Sequence, residues 1–384
     1  MSVKEQKKIV YYIGFYDGKY CHRRGNTEQN LAGSMKMDFV IQSLKKLGYK
    51  VVIVSLTQGN RCFAVKERYS VDENEQYIYL PYAAIKWNGK LKGCSRTMQF
   101  FLKKFIQSNL KKNSILISYH SLVYGEILTK LHKKIGFKWY AQVEELYCLS
   151  RKDFYSPDQL QKEEKMFDTA DGFLLVNDIM KEKYAKGKKC AISYGNYHFF
   201  AKRETPNDGQ INIAYTGIIN EDRGIFTLMD AMQYLPQKYI LNVLGYGLEQ
   251  HMNRFKNRMN AINQKAGYEK IKFLETKKGD EFSKFLSSND IGVSLMDVED
   301  EIAKNAFPSK IMAYLGHSLY VVSSKCEAIV NSKVAHLLYF CDNEPSKVAE
   351  TILRVPVNKD CDMKQELEKL EEAFLEELQQ VLEE

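Results

Sequence analysis

Short apolar runs alternate with longer amphipathic stretches along the first 200 residues. The runs are nearly continuous in apolar character, which is typical of strands that are buried on both faces of a parallel sheet. Between them, apolar residues recur at helical spacing, as in the segment 31–47 that Gly48 ends. Strands are predicted at 9–15, 51–56, 77–80, 114–118, 138–143 and 172–176. The alternation therefore predicts a doubly wound α/β domain over residues 1–200.

A polar stretch with proline and glycine, residues 196–210, interrupts this alternation and marks a domain boundary. The alternation then restarts and predicts a second doubly wound domain over residues 201–357. Its strands are predicted at 211–215, 239–244, 271–274, 291–295, 319–323 and 337–340, and its helices at 224–232, 248–265, 279–287, 309–315 and 346–353. Residues 358–384 are acidic with leucines at helical spacing, and we expect a helix there that packs back on the first domain.

Two such units predict the fold class, which is α/β with two doubly wound, Rossmann-like domains that face each other across a cleft. Ligands of doubly wound sheets bind outside the carboxyl ends of the strands, where loops and helix N-termini meet. The residues that carry the chemistry are therefore expected directly after the predicted strands.

Composition narrows the class of protein. The chain has 384 residues, of which 45% are apolar and 27% are charged, as in ordinary globular proteins. No apolar run approaches the ~20 residues of a membrane-spanning helix, and no signal peptide is visible. The eight cysteines are scattered without a Cys-x-x-Cys pair or a Cys/His cluster, so neither a zinc site nor a disulfide framework is supported. We therefore expect a cytoplasmic protein.

The net charge of +8 is divided unevenly along the chain. Residues 1–200 hold 34 Lys and Arg against 19 Asp and Glu, a net of +15, whereas residues 201–384 hold 22 against 29, a net of −7. A basic first domain suits phosphate groups, an anionic membrane surface or nucleic acid. Nucleic acid is disfavoured because the basic residues are not interleaved with aromatic residues in one module. The basic amphipathic segment 98–110 fits either docking on a membrane or packing against the core.

Two loops of the second domain place glycines directly after a predicted strand. In the first loop, Gly217 allows close backbone approach, and Arg223 stands before Gly224 where a helix begins. A helix N-terminus with an arginine beside it can hold a diphosphate. The second loop, Gly245-Tyr-Gly247, is a weak dinucleotide signature but offers another point of close approach. Each loop alone also fits an ordinary strand-to-helix turn.

A third loop carries a lysine where a helix begins. Pro308 fixes the backbone, Ser309 is a natural N-cap, and Lys310 lies in the first helical turn. A lysine opposes the helix dipole there, which is understandable if an anion binds beside it. A surface lysine on a capped helix is the alternative. Three phosphate-compatible loops in one domain favour a phosphorylated ligand.

The order of these loops resembles the nucleotide-sugar-binding domain of retaining glycosyltransferases with the two-domain GT-B fold, of the family 4-like group that includes many bacterial polysaccharide and lipid-glycan transferases. Its members have a strand, G-R-x-x-x-x-K-G and a helix, then a G-x-G loop, and later P-S-K-x-x-E-Y-L before an apolar strand. The matching segments here are 217–224, 245–247 and 307–315, within a stretch from 211 to 353. The first domain is similar to the acceptor domain in architecture rather than in motifs.

The resemblance implies roles for particular residues. Arg223 and Lys310 would hold the donor diphosphate as catalytic residues. Glu144 or Glu145 would touch the donor sugar, and His120 would be a further catalytic candidate in the cleft. The implied donor-binding residues are Gly217, Gly224, Gly245, Gly247, Thr276, Asn305, Pro308, Ser309 and Ala313. A structural role is the alternative for the histidine and for the paired glutamates.

Three positions depart from the family's pattern. Asn305 and Ala313 stand where the family has two acids eight residues apart, and Ile218 replaces the arginine of G-R. The second acid usually grips the ribose, and its loss removes a charged hydrogen bond of roughly 1.5–3 kcal/mol, or about ten- to a hundredfold in affinity. In the reaction scheme that the resemblance implies, the departing phosphate takes the acceptor proton. That scheme requires stabilisation of the diphosphate and no carboxylate nucleophile.

The sequence thus predicts a metal-independent glycosyltransferase that moves a sugar, with retention, from a UDP- or GDP-sugar to a glycan or a lipid-linked acceptor. No cofactor beyond the donor substrate is expected. The enzyme would be cytoplasmic and peripheral at the inner face of the plasma membrane, on an anionic surface. The alternative is a degenerate, non-catalytic GT-B subunit that binds or chaperones an active transferase, and the three departures favour it. A GT-B epimerase acting on a sugar nucleotide is a third class, without special support in the sequence.

Overall fold

The structure is a computed structural model that describes residues 7–18, 24–25, 31–88, 90–150, 155–200, 209–357 and 362–383. The chain divides into two compact units. Unit 1 lies within 1–176, 180–193 and 374–384, and unit 2 lies within 177–179 and 194–373. Each unit is built on its own sheet of mostly parallel strands, so the prediction of two doubly wound α/β domains is confirmed.

The strands of the first part of the chain are β1 (Ile9–Gly14), β2 (Lys50–Ser55), β3 (Phe63–Ala64), β4 (Glu67–Asp72), β5 (Glu75–Tyr79), β6 (Tyr82–Ala83), β7 (Ile85–Trp87), β8 (Lys90–Lys92), β9 (Ile115–Tyr119), β10 (Lys138–Val143), β11 (Gly172–Leu175) and β12 (Lys189–Ile192). Eight of them form one sheet in the order β12-β11-β10-β9-β1-β2-β5-β4. Only β4 runs antiparallel to its neighbour in this sheet. Two small antiparallel pairs, β3–β6 and β7–β8, stand apart from it.

The helices that cover this sheet are α1 (Leu31–Lys46), α2 (Cys94–Asn109), α3 (Leu122–Ile135), α4 (Tyr147–Ser150) and α5 (Pro157–Thr169), followed by α6 (Asp178–Met180) and a π-helical turn (Lys181–Ala185). Sheet and helices enclose a core with Trp139 and Phe173 at its centre. Helix α2 contributes Met98, Leu102 and Phe105 to that core. The apolar face of segment 98–110 is therefore packing surface, and the structure contradicts the use of that face for docking on a membrane.

The described residues of unit 2 form six strands, which are β13 (Ile211–Ile218), β14 (Tyr239–Tyr246), β15 (Ile271–Phe273), β16 (Ile291–Ser294), β17 (Tyr320–Ser324) and β18 (Leu338–Cys341). They are all parallel and lie in the order β15-β14-β13-β16-β17-β18. Counted within the unit, this is the order 3-2-1-4-5-6 of a dinucleotide-binding sheet, which reverses direction between β13 and β16. Ligands of such sheets bind at the carboxyl ends of the two strands that flank the reversal.

The helices after these strands are α7 (Ile225–Ala231), α8 (Glu249–Ala266), α9 (Gly279–Ser287), α10 (Glu301–Asn305), α11 (Ser309–Gly316), α12 (Glu327–Val330), α13 (Pro345–Arg354) and α14 (Lys364–Glu383). The buried side chains between sheet and helices are aliphatic and aromatic, with Phe255 and Tyr215 among the largest. The predicted helices of this half begin and end within about two residues of those observed.

The boundary between the units falls between Ser193 and Tyr194, earlier than the predicted boundary at residue 200. The reason lies in the contacts of Tyr194, whose ring packs on Phe307 and whose hydroxyl accepts a hydrogen bond from the Lys333 amide. The acidic C-terminal helix α14 is divided between the units. Its second half packs on unit 1, where the rings of Phe374 and Phe39 lie 5.2 Å apart.

No helix within the described ranges is both long enough and apolar enough to cross a membrane. The six cysteines of those ranges are free, and Cys62 among them is exposed.

Candidate functional site

Three loops of unit 2 meet at the carboxyl ends of the strands that flank the reversal of strand order. The first begins at the end of β13, where Gly217 is the next-to-last residue, and the second begins at the end of β14, where Gly245 pairs with Gly217 in the parallel register. The third leads into α11, whose second residue, Lys310, lies next to Gly217. The predicted phosphate loops therefore come together where a doubly wound sheet binds its ligand.

The glycines of these loops are required by close packing. A Cβ atom on Gly245 would stand 2.6 Å from the carbonyl oxygen of Gly217, and one on Gly247 would overlap the carbonyl oxygen of Ile219. Gly224 has φ of 66°, a left-handed conformation, and a Cβ there would overlap Leu295. The backbones of the first two loops can thus approach each other only because side chains are absent.

Lys310 is held over an aromatic ring beside Gly217. Its Nζ lies 4.3 Å from the centre of the Tyr215 ring, and a Cβ on Gly217 would be 3.7 Å from the same nitrogen. Burial, together with the nearby positive charge of Arg223, lowers the pKa of Lys310 to about 7. Burial likewise raises the pKa of the Tyr215 hydroxyl, which donates to the carbonyl oxygen of Ile218 at 2.8 Å.

Two positive charges thus stand close together without a compensating acid. Within the described part of the chain, neither Lys310 nor Arg223 forms an ion pair. Both side chains are half-buried, and Arg223 ends a short 3-10 turn (Glu221–Arg223) directly before α7. An anion placed between them would satisfy both charges, and a diphosphate carries enough negative charge to do so.

The helix that carries Lys310 begins differently from the prediction. Pro308 is the N-cap, Ser309 is already the first helical residue and is exposed, and no side chain caps the helix. The prediction that Ser309 is the N-cap was therefore wrong. Pro308 takes that position instead, because its ring favours the extended backbone conformation that an N-cap residue needs. The helix is anchored instead by Tyr314, whose hydroxyl accepts a hydrogen bond of 2.9 Å from the Thr216 amide on β13.

The remaining residues that were predicted to bind the donor differ in their exposure to solvent. Thr276 is exposed in the loop after β15, and Ala313 is partly exposed on α11. Asn305 is buried, and its side-chain amide donates to the carbonyl oxygen of Glu301 within α10. Its own carbonyl oxygen accepts from Asn177 at 2.9 Å. Asn305 thus uses both of these polar groups in local packing.

In unit 1, Glu144 follows strand β10 and is tied to its surroundings. Its carboxylate pairs with Lys36 of α1 and accepts a hydrogen bond of 2.6 Å from Gln142. The amide oxygen of Gln142 in turn accepts from the hydroxyl of Tyr12 on β1. This chain of polar contacts crosses the strand ends of the first sheet and fixes the orientation of the Glu144 side chain.

His120 follows strand β9 and is packed rather than open. Its side chain is 2% exposed, its Nε2 lies 3.1 Å from a carboxylate oxygen of Glu163, and its Nδ1 lies 3.1 Å from the carbonyl oxygen of Glu145. The ring of Tyr147 stacks on it at 4.3 Å. Burial would raise the pKa of Glu163, but its contacts with His120 and with the Tyr147 and Cys148 amides lower it overall. His120 therefore holds the loop that contains the two glutamates.

Three residues of these sites were missed at the level of the sequence. Tyr215 supplies the ring under Lys310, Tyr314 fixes the helix, and Lys36 pairs with Glu144. Tyr215 could have been found, because side chains alternate along a strand and Tyr215 precedes Gly217 by two positions. The other two contacts join elements that are far apart in the sequence, and no local pattern indicates them.

No group of three or more His, Cys, Asp or Glu side chains in the ranges that the structure describes could hold a metal ion. The candidate site of unit 2 therefore consists of cations, backbone amides and one aromatic ring.

Solved structures with a similar fold cover almost the whole chain. A trehalose-6-phosphate synthase from E. coli bound with UDP-2-fluoro glucose is 9% identical, with a TM-score of 0.69 over 98% of this chain and 99% of that one. A sucrose-phosphate synthase from Thermosynechococcus elongatus is 12% identical, with a TM-score of 0.60 over 98% and 95%. The Anabaena protein HepE in complex with UDP and glucose is 11% identical, with a TM-score of 0.59 over 98% and 99%.

These similarities show that the chain has the GT-B fold, as its sequence predicts. No protein-family model and no curated protein matches the sequence.

Proposed function

We propose that the chain is a glycosyltransferase that binds a nucleotide-diphosphate sugar in unit 2 and moves the sugar to an acceptor. The observation that carries the proposal is the pair of uncompensated cations, Lys310 and Arg223, beside the close-approach glycine Gly217. A site with two adjacent positive charges and a lysine whose pKa is lowered is incomplete without an anion. The GT-B fold supports reading that anion as the diphosphate of a sugar donor.

The proposed reaction uses the two cations on the leaving group. The acceptor oxygen bonds to the anomeric carbon while the bond from that carbon to the diphosphate oxygen breaks. Negative charge grows on the departing diphosphate, and Arg223 and Lys310 stabilise it because they are in place before the substrate arrives. The acceptor proton passes to the departing phosphate oxygen, on the same face, so the anomeric configuration is retained. No metal ion takes part in this scheme.

UDP-sugars are the donors we propose first, with GDP-sugars as the alternative. Two solved structures with this fold hold UDP-2-fluoro glucose or UDP with glucose. The acceptor is proposed to be a glycan or a lipid-linked glycan that binds to unit 1. The oriented carboxylate of Glu144, which the resemblance assigns to the donor sugar, can accept hydrogen bonds from sugar hydroxyls, while His120 acts through the loop that it supports.

A non-catalytic subunit is the second candidate function, and the environment of Asn305 favours it. The residue stands where the family has an acid, and its amide is used within its own helix. A protein of this class would bind a donor, or its partner, without turning the donor over. Release of UDP from a UDP-sugar by the purified protein, measured with and without glycan acceptors, separates the two candidates.

Thermal unfolding in the presence of UDP-, GDP-, ADP- and TDP-sugars tests the binding step. A ligand at 100 times its dissociation constant should stabilise the protein by roughly 2.7 kcal/mol. Lys310→Ala should remove that stabilisation, whereas Lys325→Ala should keep it, because Lys325 is a surface lysine of the same unit that pairs with Asp342. Equal stabilisation of both variants would contradict the proposed site.

A further inference from the structure

A cavity of about 360 Å³ lies in unit 2 between the loop that follows the edge strand β15 and helix α9. Its volume falls in the range of small-molecule sites in proteins. The residues that line it are Leu274, Lys277, Glu281, Lys284, Phe285 and Ser288. Phe285 is buried and Leu274 is 40% exposed, so part of the lining is apolar. None of the lining residues belongs to the three phosphate loops.

Three charged side chains follow one another along this cavity in the order positive, negative, positive. Lys277 stands shortly before α9, Glu281 lies in the first turn of the helix, and Lys284 lies three residues further on the same face. Within the part of the chain that the structure describes, none of the three forms an ion pair. Two ammonium donors, with a carboxylate acceptor between them, are therefore available to a ligand.

The cavity lies within reach of the phosphate loops. Gly217 pairs with Gly245 in the parallel register, and Phe273 of β15 pairs with Val243, two residues before Gly245. The position in line with the two glycines on the third strand is therefore Glu275. Neighbouring parallel strands lie about 4.8 Å apart, so the backbones of Gly217 and Glu275 are about 10 Å apart. A ribose joins a diphosphate and a base that are separated by a distance of this order.

The loop between β15 and α9 has an unusual backbone. Glu275 has φ of 56°, which is a left-handed conformation that residues other than glycine rarely adopt, and Gly279 at the start of α9 has φ of 52°. Backbone strain of this kind is concentrated at ligand sites. With these two turns, the loop brings Lys277 and the first turn of α9 to the same cavity.

We propose that this cavity holds the base of the donor nucleotide and selects uracil or thymine. The edge of either base presents a carbonyl oxygen, an N–H group and a second carbonyl oxygen. Lys277 and Lys284 donate to the two carbonyl oxygens, and Glu281 accepts from the N–H group between them. The ring of the base contacts Leu274. This selection requires a diphosphate held at Lys310, so it rests on the proposed function of unit 2.

The other bases present a different order of donors and acceptors. Guanine has a carbonyl oxygen, an N–H group and an amino group, so one of the two lysines would face a donor. Cytosine and adenine place an amino donor beside a ring nitrogen acceptor, so a lysine and Glu281 would both be mismatched. Charged groups that face the wrong partner discriminate more strongly than an apolar wall does.

Titration calorimetry of the full chain at pH 7 measures the selection. UDP and 5-methyl-UDP, which carries thymine, should bind with affinities within about fivefold of each other, because they differ by one methyl group. GDP, CDP and ADP should bind about tenfold more weakly, or weaker still. Equal affinities for UDP and GDP would overturn the selection alone, whereas no binding of any nucleotide would also contradict the proposed function.

A change of one charge should alter the preferred base. Lys284→Glu gives the order donor, acceptor, acceptor, which matches the edge of guanine. The variant should bind UDP more weakly and GDP more tightly, so that the ratio of the two affinities changes by about tenfold or more. Lys256→Glu, on an exposed position of α8, makes the same change in net charge and should leave the ratio unchanged. An unchanged ratio in Lys284→Glu would overturn the proposal.

The contact of Glu281 is tested with 3-methyl-UDP, in which a methyl group replaces the hydrogen of the N–H group. It should bind the unchanged protein about tenfold more weakly than UDP. Glu281→Ala should bind the two nucleotides equally, whereas Asp280→Ala, which removes an acid outside the cavity lining, should keep the difference. Circular dichroism confirms that each variant is folded. A tenfold difference that persists in Glu281→Ala would show that the carboxylate does not contact the base.

Discussion

Lys310 carries an ammonium group in surroundings that disfavour its charge. Burial and the charge of Arg223 both favour the neutral amine, and together they lower the pKa of Lys310 to about 7. A bound diphosphate reverses this balance, because two adjacent negative groups favour the charged form. Binding of the donor should therefore be coupled to the uptake of a proton by Lys310.

This coupling predicts how the affinity for UDP depends on pH. Above pH 7 the free lysine is increasingly neutral and must be protonated for binding, so the affinity should fall as pH rises from 7 to 9, by up to about tenfold per unit. The phosphates of UDP do not contribute in this window, because their last pKa is about 6. Titration calorimetry in buffers of different ionisation enthalpy measures both the affinity and the proton uptake.

Lys310→Arg is the control for the pH dependence. Arginine stays charged throughout this range, so the variant should bind UDP with an affinity that is nearly independent of pH between 7 and 9. If the variant and the unchanged protein show the same slope, another group takes up the proton and the assignment to Lys310 is wrong.

The close packing around Gly224 predicts that an alanine at this position destabilises the protein. Gly224→Ala adds a Cβ that overlaps Leu295 and also places alanine at positive φ, so we expect a loss of roughly 2–4 kcal/mol in the free energy of unfolding. Gly267→Ala has the same kind of φ with open space around it, and it should cost only about 1 kcal/mol. Urea unfolding of both variants isolates the effect of the overlap, which equal losses would contradict.

The positions of three candidate site residues could be predicted from the sequence, because they depend on the local pattern of strands and helices. Gly217 lies at the end of a strand, whereas Arg223 and Lys310 lie where helices begin, and strand topology brings such positions together. The pairing of Glu144 with Lys36 could not be predicted, because it depends on how α1 lies against the sheet. The burial of His120 likewise depends on Glu163 and Tyr147, which come from later elements.

At the scale of the element, helix α14 stabilises unit 1 although it is the last helix described. Leu378 and Val381 are buried along it, and Glu377 accepts a hydrogen bond of 2.8 Å from the amide of Ile192 at the end of β12. The edge strand of the first sheet is thus covered by a segment that is distant in sequence.

Phe374→Ala tests the contribution of this helix. The side chain is 1% exposed and packs on Phe39, so its removal should lower the free energy of unfolding by roughly 3–5 kcal/mol. Glu376→Ala on an exposed position of the same helix should change it by less than about 0.5 kcal/mol. A small effect of Phe374→Ala in urea unfolding would show that the helix is not part of the cooperative core.

The elements that were missed share a physical cause. Strands β3, β6, β7 and β8 are two or three residues long and exposed in part, so they lack the buried apolar run that predicts a strand. Strand β4 alternates poorly and lies at the edge of its sheet. Strand β12 was also missed, because only its last two residues are buried. The strands that were predicted from buried apolar runs are strands in the structure.

At the scale of the whole molecule, the two halves of the chain differ in net charge. The sequence gives the first a positive net charge and the second a negative one, yet the candidate anion site lies in the negative half. The site therefore depends on its two local cations rather than on the overall field of its unit. Charge totals along the chain do not indicate where a donor would bind.

Hydrogen exchange tests this division in the full chain. Saturating UDP should slow exchange in the loops 217–224, 245–248 and 308–313, because the ligand restricts them, and should leave β9 and β10 of unit 1 unaffected. Lys310→Ala should abolish the protection at the same UDP concentration. Protection confined to unit 1 would assign the nucleotide to the other half of the molecule.

The bond between Tyr314 and Thr216 has a consequence for the speed of recognition. The phenol ring fills the space that Gly292 leaves empty and ties the helix of Lys310 to the central strand. The backbone of that helix is consequently held in place while the protein is still unliganded. A nucleotide that arrives meets a helix that is already anchored, so its capture should be limited by diffusion and orientation rather than by a slow rearrangement of this helix.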